Sequence, residues 1–202
     1  QRLKIVRSGE ICADAAVRQS GYGEVIPDYS FAVVDEAHQL EDVATQYFGI
    51  SVSTFRVEDL IKDGFRLMEA GLPLDPIPAD TVRAALGQVR DGSDAFFTAV
   101  RDSKSEPVGV RSRIDAATFE PFADLGRALL DALSSLESEL GLLTDLPEDF
   151  RALEHRVHEV DHELRFTLQA SDPTHVFFLE IRNRGVFLRA SPIDVSTMVR
   201  DS

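Results

Sequence analysis

The chain has 202 residues, 35 of them Asp or Glu and 21 Lys or Arg, for a formal net charge of −14, with one cysteine and no tryptophan. That length is enough for one large domain or two small ones around a buried core, and 44% hydrophobic with 28% charged residues is a globular composition, not a disordered one. The lone Cys12 excludes an intramolecular disulfide, a cysteine-rich zinc site and a cysteine-ligated iron–sulfur cluster built by this chain alone. No apolar run approaches the length of a membrane span, and the acidic balance speaks against holding nucleic acid by bulk electrostatics. A cytoplasmic protein with no membrane partner is the expectation.

The charge is uneven. Residues 1–50 carry eight acids and four bases, residues 51–170 carry 23 and 13, and residues 171–202 carry four of each. A mildly acidic head, a strongly acidic middle and a neutral tail follow one another. In the head, Ile11 to Gln19 suits a short helix, broken by Gly21, Gly23 and Pro27. Phe31-Ala32-Val33-Val34 is a short run of β-branched and aromatic type, bounded by Pro27-Asp28 before it and acids after it. Such a run predicts a strand buried on both faces, as in parallel sheets of α/β proteins. Gln39 to Phe48 turns helical, and Gly49 ends it.

The middle reads as helical nearly throughout. Residues 54–70 place Phe55, Leu60, Ile61, Phe65 and Met68 on an amphipathic helix closed by Gly71. The proline-rich stretch Leu72 to Asp80 predicts a loop, with Asp80 as N-cap of a helix to about Arg101. Residues 103–115, with Pro107 and Gly109, predict another loop. Over residues 120–142 a long helix sets Phe122, Leu125, Leu129, Leu133, Leu136 and Leu140 at steps of three and four, with Pro121 in its first turn. Pro147-Glu148 opens a last helix to about Leu164. Two β-type runs, HVFFLEIR and VFLRAS, are then separated by Asn183-Arg184-Gly185, a hairpin signal. Two strands make no stable sheet alone, so they require partners from the head or from sequence outside this chain.

The sharpest chemical feature is FAVVDEAHQL, residues 31–40. An apolar strand ending in two adjacent carboxylates is the Walker B arrangement of a nucleotide hydrolase, and it sets Asp35 and Glu36 where open α/β sheets bind ligands. Asp35 would hold magnesium directly or through water, because that ion prefers oxygen ligands and keeps several waters. Glu36 would orient and polarise the attacking water. His38 would link the phosphate site to a neighbouring domain. The plain alternative is that Asp-Glu-Ala-His merely starts a helix, since acids in a first turn are favoured by the helix dipole.

The wider stretch GYGEVIPDYSFAVVDEAHQLEDVATQYFG resembles the DEAH segment of the DinG/XPD-type DNA helicases of superfamily 2, especially the bacterial DinG and YoaA-like members. Ala13-Asp14-Ala15-Ala16-Val17 is similar to the family's segment just upstream. Leu188 to Ser196 (LRASPIDVS) resembles its return from the Arch insertion into the first motor domain. The resemblance implies an α+β, mainly helical fold in which a helical Arch-like domain, residues 52–170, is inserted between pieces of a RecA-like motor domain, residues 1–51 and 171–202. It implies ATP and Mg2+ as cofactors, single-stranded DNA and the remaining helicase domains as partners, and a 4Fe–4S cluster in the parent enzyme.

The chain departs from that family in several places. Arg7-Ser8-Gly9-Glu10 stands where the family has an Asn-His-like stretch. The only lysines are Lys4, Lys62 and Lys104, none after a glycine, so no phosphate loop of the GxxxxGK[ST] type is present. The four cluster cysteines are absent as well. A fragment of a longer helicase, without ATPase activity alone, is therefore the expectation. The competing class is a non-catalytic acidic helical module that binds protein partners.

Three weaker signals remain. Arg101, Lys104, Arg111 and Arg113 concentrate positive charge around the middle loop and could touch DNA phosphates, although Asp102, Glu106 and Asp115 dilute them. His155, His158 and His162 fall on one helical face, either as metal ligands or, more ordinarily, as a solvated face supported by nearby acids. Phe96-Phe97 and the leucine ladder are most simply core, and Cys12 a small apolar residue.

Overall fold

The structure, a computed structural model, describes residues 3–7, 10, 13, 31–35, 48–70, 76–103, 109–143 and 147–194. Strands β1 (Leu3–Arg7), β2 (Phe31–Asp35) and β3 (Ile50–Ser53) come first, then helices α1 (Thr54–Glu69) and α2 (Pro76–Asp102). Strand β4 (Arg111–Arg113) leads to α3 (Ala116–Phe119), which a 3-10 turn (Glu120–Phe122) joins to α4 (Ala123–Gly141). Helix α5 (Glu148–Gln169) and a hairpin of β5 (His175–Arg182) and β6 (Gly185–Pro192) complete the order. The chain divides into two compact units, one of residues 1–50, 172–176 and 190–202, the other of residues 51–171 and 177–189. Most of the hairpin thus groups with the helices, whereas the sequence pattern assigns all of it to the 171–202 segment.

In the first unit β1 and β2 pair in parallel, in register from Leu3 opposite Phe31 to Arg7 opposite Asp35. The strand expected at Phe31–Val34 is therefore present, and it has a parallel partner. Its expected burial on both faces is not observed. Ile5 and Val33, which are register partners, are 71% and 50% exposed. The helices expected at Ile11–Gln19 and Gln39–Phe48 lie outside the described residues, save for helical Ala13 and Phe48.

The second unit is a helical layer against a sheet. Helix α1 starts where the Ser53 side chain accepts a hydrogen bond from the Arg56 backbone N–H at 3.2 Å, meeting one of the donors a helix start leaves unpaired. Its buried face is Val57, Leu60, Ile61 and Gly64, the i, i+3, i+4, i+7 stripe of a surface helix. The expected stripe is rotated from this one: Phe55 is 42% exposed, and Phe65 and Met68 are only half-buried.

Helix α2 begins at Pro76, earlier than the expected N-cap at Asp80. A proline in the first turn forfeits no helical hydrogen bond, so Pro76 opens the helix instead of blocking it. Asp80 accepts instead from Arg83 at 2.7 Å. Helices α2, α4 and α5 bury Leu86, Phe96, Leu129, Leu133, Phe150 and Leu164 completely, and each such side chain contributes roughly 1.5–3 kcal/mol.

The helix expected over 120–142 is present as α4, preceded by the 3-10 turn and, ahead of the expected range, by the short helix α3. An Asp115–Thr118 capping box starts α3, and Pro121 sits in the 3-10 turn before α4, where its missing N–H costs little. Helix α5 runs past Leu164 to Gln169 and stops at Ala170, which takes the left-handed conformation at φ 41°.

The four strands of the second sheet run antiparallel in the order β3-β6-β5-β4. Strand β4 falls inside the stretch expected to be a loop, pairing Arg111 with Glu180 and Arg113 with Phe178. The Asn183-Arg184 turn joins β5 to β6, with Asn183 at φ 52°, a conformation asparagine tolerates better than most residues. At Gly185 a Cβ would run into the Phe55 ring and come within 3.1 Å of Phe187, so a larger residue there would have to displace the Phe55 ring. Alternation along the strands buries Phe177, Leu179, Val186, Leu188 and Ala190 on one face, where Phe166 of α5 meets Phe177 with ring centroids 5.4 Å apart. The opposite face carries Phe178, Glu180, Arg182, Phe187 and Arg189.

Candidate functional site

Asp35 is the last residue of β2, opposite Arg7 of its parallel neighbour, and it is exposed. An exposed carboxylate at the carboxyl end of a parallel-paired strand is a suitable oxygen donor for a hard cation. Glu36 and His38, assigned the water-orienting and coupling roles, lie outside the described residues.

The basic residues singled out around the middle loop do not form one group. Arg101, at the end of α2, donates from Nε to its neighbour Asp102 at 3.1 Å. Lys104 lies outside the described residues. Arg111 and Arg113 occupy β4, and pairing with β5 brings them beside residues that the sequence did not point to. Glu180 is only 3% exposed. Arg182 donates from Nε to its Oε1 at 2.5 Å, while Arg189 Nε and an Arg111 guanidinium nitrogen stand 3.7 and 3.9 Å from its Oε2. Burying a carboxylate is costly unless it is paired, and three guanidinium groups surround this one. Even so, Glu180 Oε2 and Arg189 Nε have no hydrogen-bond partner among the described residues.

The same arginines lie over aromatic rings. The Arg111 guanidinium is 5.5 Å from the Phe178 centroid, and those of Arg182 and Arg189 are 5.9 and 5.7 Å from that of Phe187. Phe55 adds a third ring, 5.9 Å from Phe187. Arg113 is exposed, with no ion-pair partner among the described residues. One buried acid against four arginines leaves this face positive within a chain of net charge −14. The signal that could have exposed it is the period-two alternation of Phe178, Glu180 and Arg182, and of Phe187 and Arg189.

The three histidines of α5 behave as a solvated face. His158 Nδ1 is 2.9 Å from Glu137 and His155 Nδ1 is 3.4 Å from Glu159, while the His158 and His162 rings stack at 6.5 Å. Among the described residues, no group of three or more potential ligands converges on a metal position, and no helix is long and apolar enough to cross a membrane.

Ion pairs join α1 to α5: Arg56 meets Glu163, and Arg156 donates to Asp63 at 2.7 Å. That hydrogen bond holds the Asp63 carboxyl below its ordinary value against the opposing effect of desolvation, with further help from the charges of Arg156 and Arg66. The Thr174 hydroxyl and backbone N–H likewise lower Asp172. A cavity of about 360 Å³ lined by Phe119, Phe122, Leu130 and Leu168, with Arg127 and Arg165, is mainly apolar and brings no reactive groups together.

No family model matches the chain. Part of it is similar to ATP-dependent DNA helicases. Over 61 residues it is 48% identical to ATP-dependent DNA helicase YoaA of Haemophilus influenzae, a match covering 30% of this chain and 10% of that protein. Over 51 residues it is 53% identical to ATP-dependent DNA helicase YoaA of Escherichia coli K12, covering 25% of this chain and 8% of that protein. The aligned part of the chain thus spans a tenth or less of the length of these relatives.

Proposed function

We propose that this chain is a segment of an ATP-dependent DNA helicase of the DinG/XPD type, carrying the DEAH box of its first motor domain and an Arch-like helical insertion. The observation that carries the reading is Asp35 at the tip of a strand with a parallel neighbour, followed in sequence by Glu36, in a chain about half identical to named DNA helicases over 25–30% of its length. In the parent, Asp35 would hold Mg2+ through oxygen, and Glu36 would accept a proton from the water that attacks the terminal phosphate of ATP. Bound magnesium would neutralise phosphate charge. His38 would couple the nucleotide site to the adjoining motor domain, and the work of hydrolysis would move single-stranded DNA.

The 4Fe–4S cluster does not fit this chain. A cluster needs four thiolates, and Cys12 is the sole cysteine. Its ligands belong to the rest of the parent, as do the phosphate loop and the second motor domain. The 202 residues alone should therefore not turn over ATP. ATP hydrolysis by the full-length parent, measured with and without single-stranded DNA for wild type and Glu36→Gln, tests the reading. Turnover that survives the substitution would remove it.

A further inference from the structure

We infer that the outer face of the four-stranded sheet is a binding platform for single-stranded DNA, built from Arg111, Arg113, Arg182, Arg189, Phe178 and Phe187. The inference rests on the helicase reading for its choice of ligand and adds the surface that holds it. Strand pairing, not sequence proximity, assembles the set: β4 sets Arg111 opposite Glu180 and Arg113 opposite Phe178. Guanidinium groups and aromatic rings are interleaved at 5.5–5.9 Å. Recognition of single strands requires that pattern, because cations track the phosphates while rings and guanidinium planes stack on unpaired bases. A duplex keeps its bases stacked inside and would meet only the charges.

Charge complementarity argues for a polyanion. Four arginines outnumber the one acid on this face, although the chain as a whole is strongly acidic. The internal pairing is also incomplete. Glu180, 3% exposed, is ion-paired with Arg189 Nε at 3.7 Å, yet neither Oε2 nor that Nε makes a hydrogen bond among the described residues. A single carboxylate thus positions Arg111, Arg182 and Arg189, and its one negative charge cannot balance their three positive ones. A purely structural role, in which edge arginines deter strand pairing and cation–π contacts stabilise the sheet, does not require Arg113, which is exposed and has no ion-pair partner among the described residues.

The test is fluorescence anisotropy of a labelled oligothymidylate about twenty nucleotides long, long enough to cover one binding face, titrated with the 202-residue chain at several salt concentrations. The platform predicts binding that weakens with salt at a log–log slope of about −0.7 per phosphate neutralised. Arg111→Glu with Arg113→Glu should reduce both affinity and slope, and Phe187→Ala should cost roughly tenfold with the slope unchanged. Glu180→Gln, which removes the competing carboxylate, should tighten binding. Arg113→Glu alone, at an exposed edge, keeps the test independent of folding and should weaken binding on its own. Absence of binding at low salt, equal affinity for a blunt duplex, or unchanged affinity in Arg113→Glu would each overturn the inference. Failure of the helicase reading would appear elsewhere, as ATP turnover by the full-length protein that Glu36→Gln leaves intact.

Discussion

Two glycines on neighbouring helices should respond in opposite ways to the same substitution. A Cβ placed on Gly64 of α1 would meet Leu86 Cδ2 at 2.6 Å and Cδ1 at 3.0 Å, whereas one placed on Gly87 of α2 would meet nothing within 4 Å. Replacing either glycine by alanine recovers about 0.5–1 kcal/mol of helix propensity. At Gly87 that gain stands alone. At Gly64 the methyl group collides with a leucine that is 0% exposed and so has no free space to turn into, and overpacking of this kind costs about 1–3 kcal/mol. Gly87→Ala should therefore stabilise, Gly64→Ala should be neutral to clearly destabilising, and the two should differ by roughly 1–3 kcal/mol. Urea unfolding followed by circular dichroism at 222 nm, with m-values compared, reads this difference directly. Equal stabilisation by both substitutions would refute the close approach of α1 and α2 and the helical core built on it.

Asp63→Asn should lower stability near neutral pH by less than about 1 kcal/mol, because its pair with Arg156 is a third exposed and screened. The folded carboxyl lies below its ordinary value of 3.8, so its stabilisation is fully present above that pH and is lost as pH falls through the lower folded value. Urea midpoints of wild type and variant should accordingly converge in acid; a gap that widens there would contradict the pairing. Ala170→Gly should raise thermal stability, since Ala170 closes α5 at φ 41° and a left-handed residue with a Cβ costs about 1–2 kcal/mol. A lowered melting temperature would show that α5 does not end in this conformation.

What can be read from the chain depends on how local each signal is. The β2 run and the β5–β6 hairpin carry their own evidence, in β-branched runs bounded by turn residues. Strand β3 is four residues long, ISVS, an alternation too short to stand out, and β4 is Arg-Ser-Arg, with no apolar residue; both are strands because β6 and β5 supply their hydrogen bonds. The α1 stripe is misplaced by sequence because Phe55 looks like core, but it sits at the helix start against Phe187 and over Gly185. Pro76 marks a loop by composition yet opens a helix, since its position in the first turn outweighs its reputation as a breaker.

The DEAH motif, of which the described residues include only Asp35, is visible in sequence for the same reason as β2, because it lies within ten residues. The arginine–phenylalanine face is not. Arg111 and Arg113 come within reach of Phe178 and Glu180 only through antiparallel register across more than sixty residues. No window of sequence contains that juxtaposition.

The most direct test of the helicase assignment is the rate of magnesium-dependent ATP hydrolysis by the full-length parent in the presence of single-stranded DNA, compared between wild type and Glu36→Gln. Loss of a positioned proton acceptor should slow turnover by roughly a hundredfold or more, with DNA stimulation evident in the wild type. Equal rates in the two proteins, or no response to DNA, would contradict a catalytic role for Glu36, the residue that follows Asp35 in sequence.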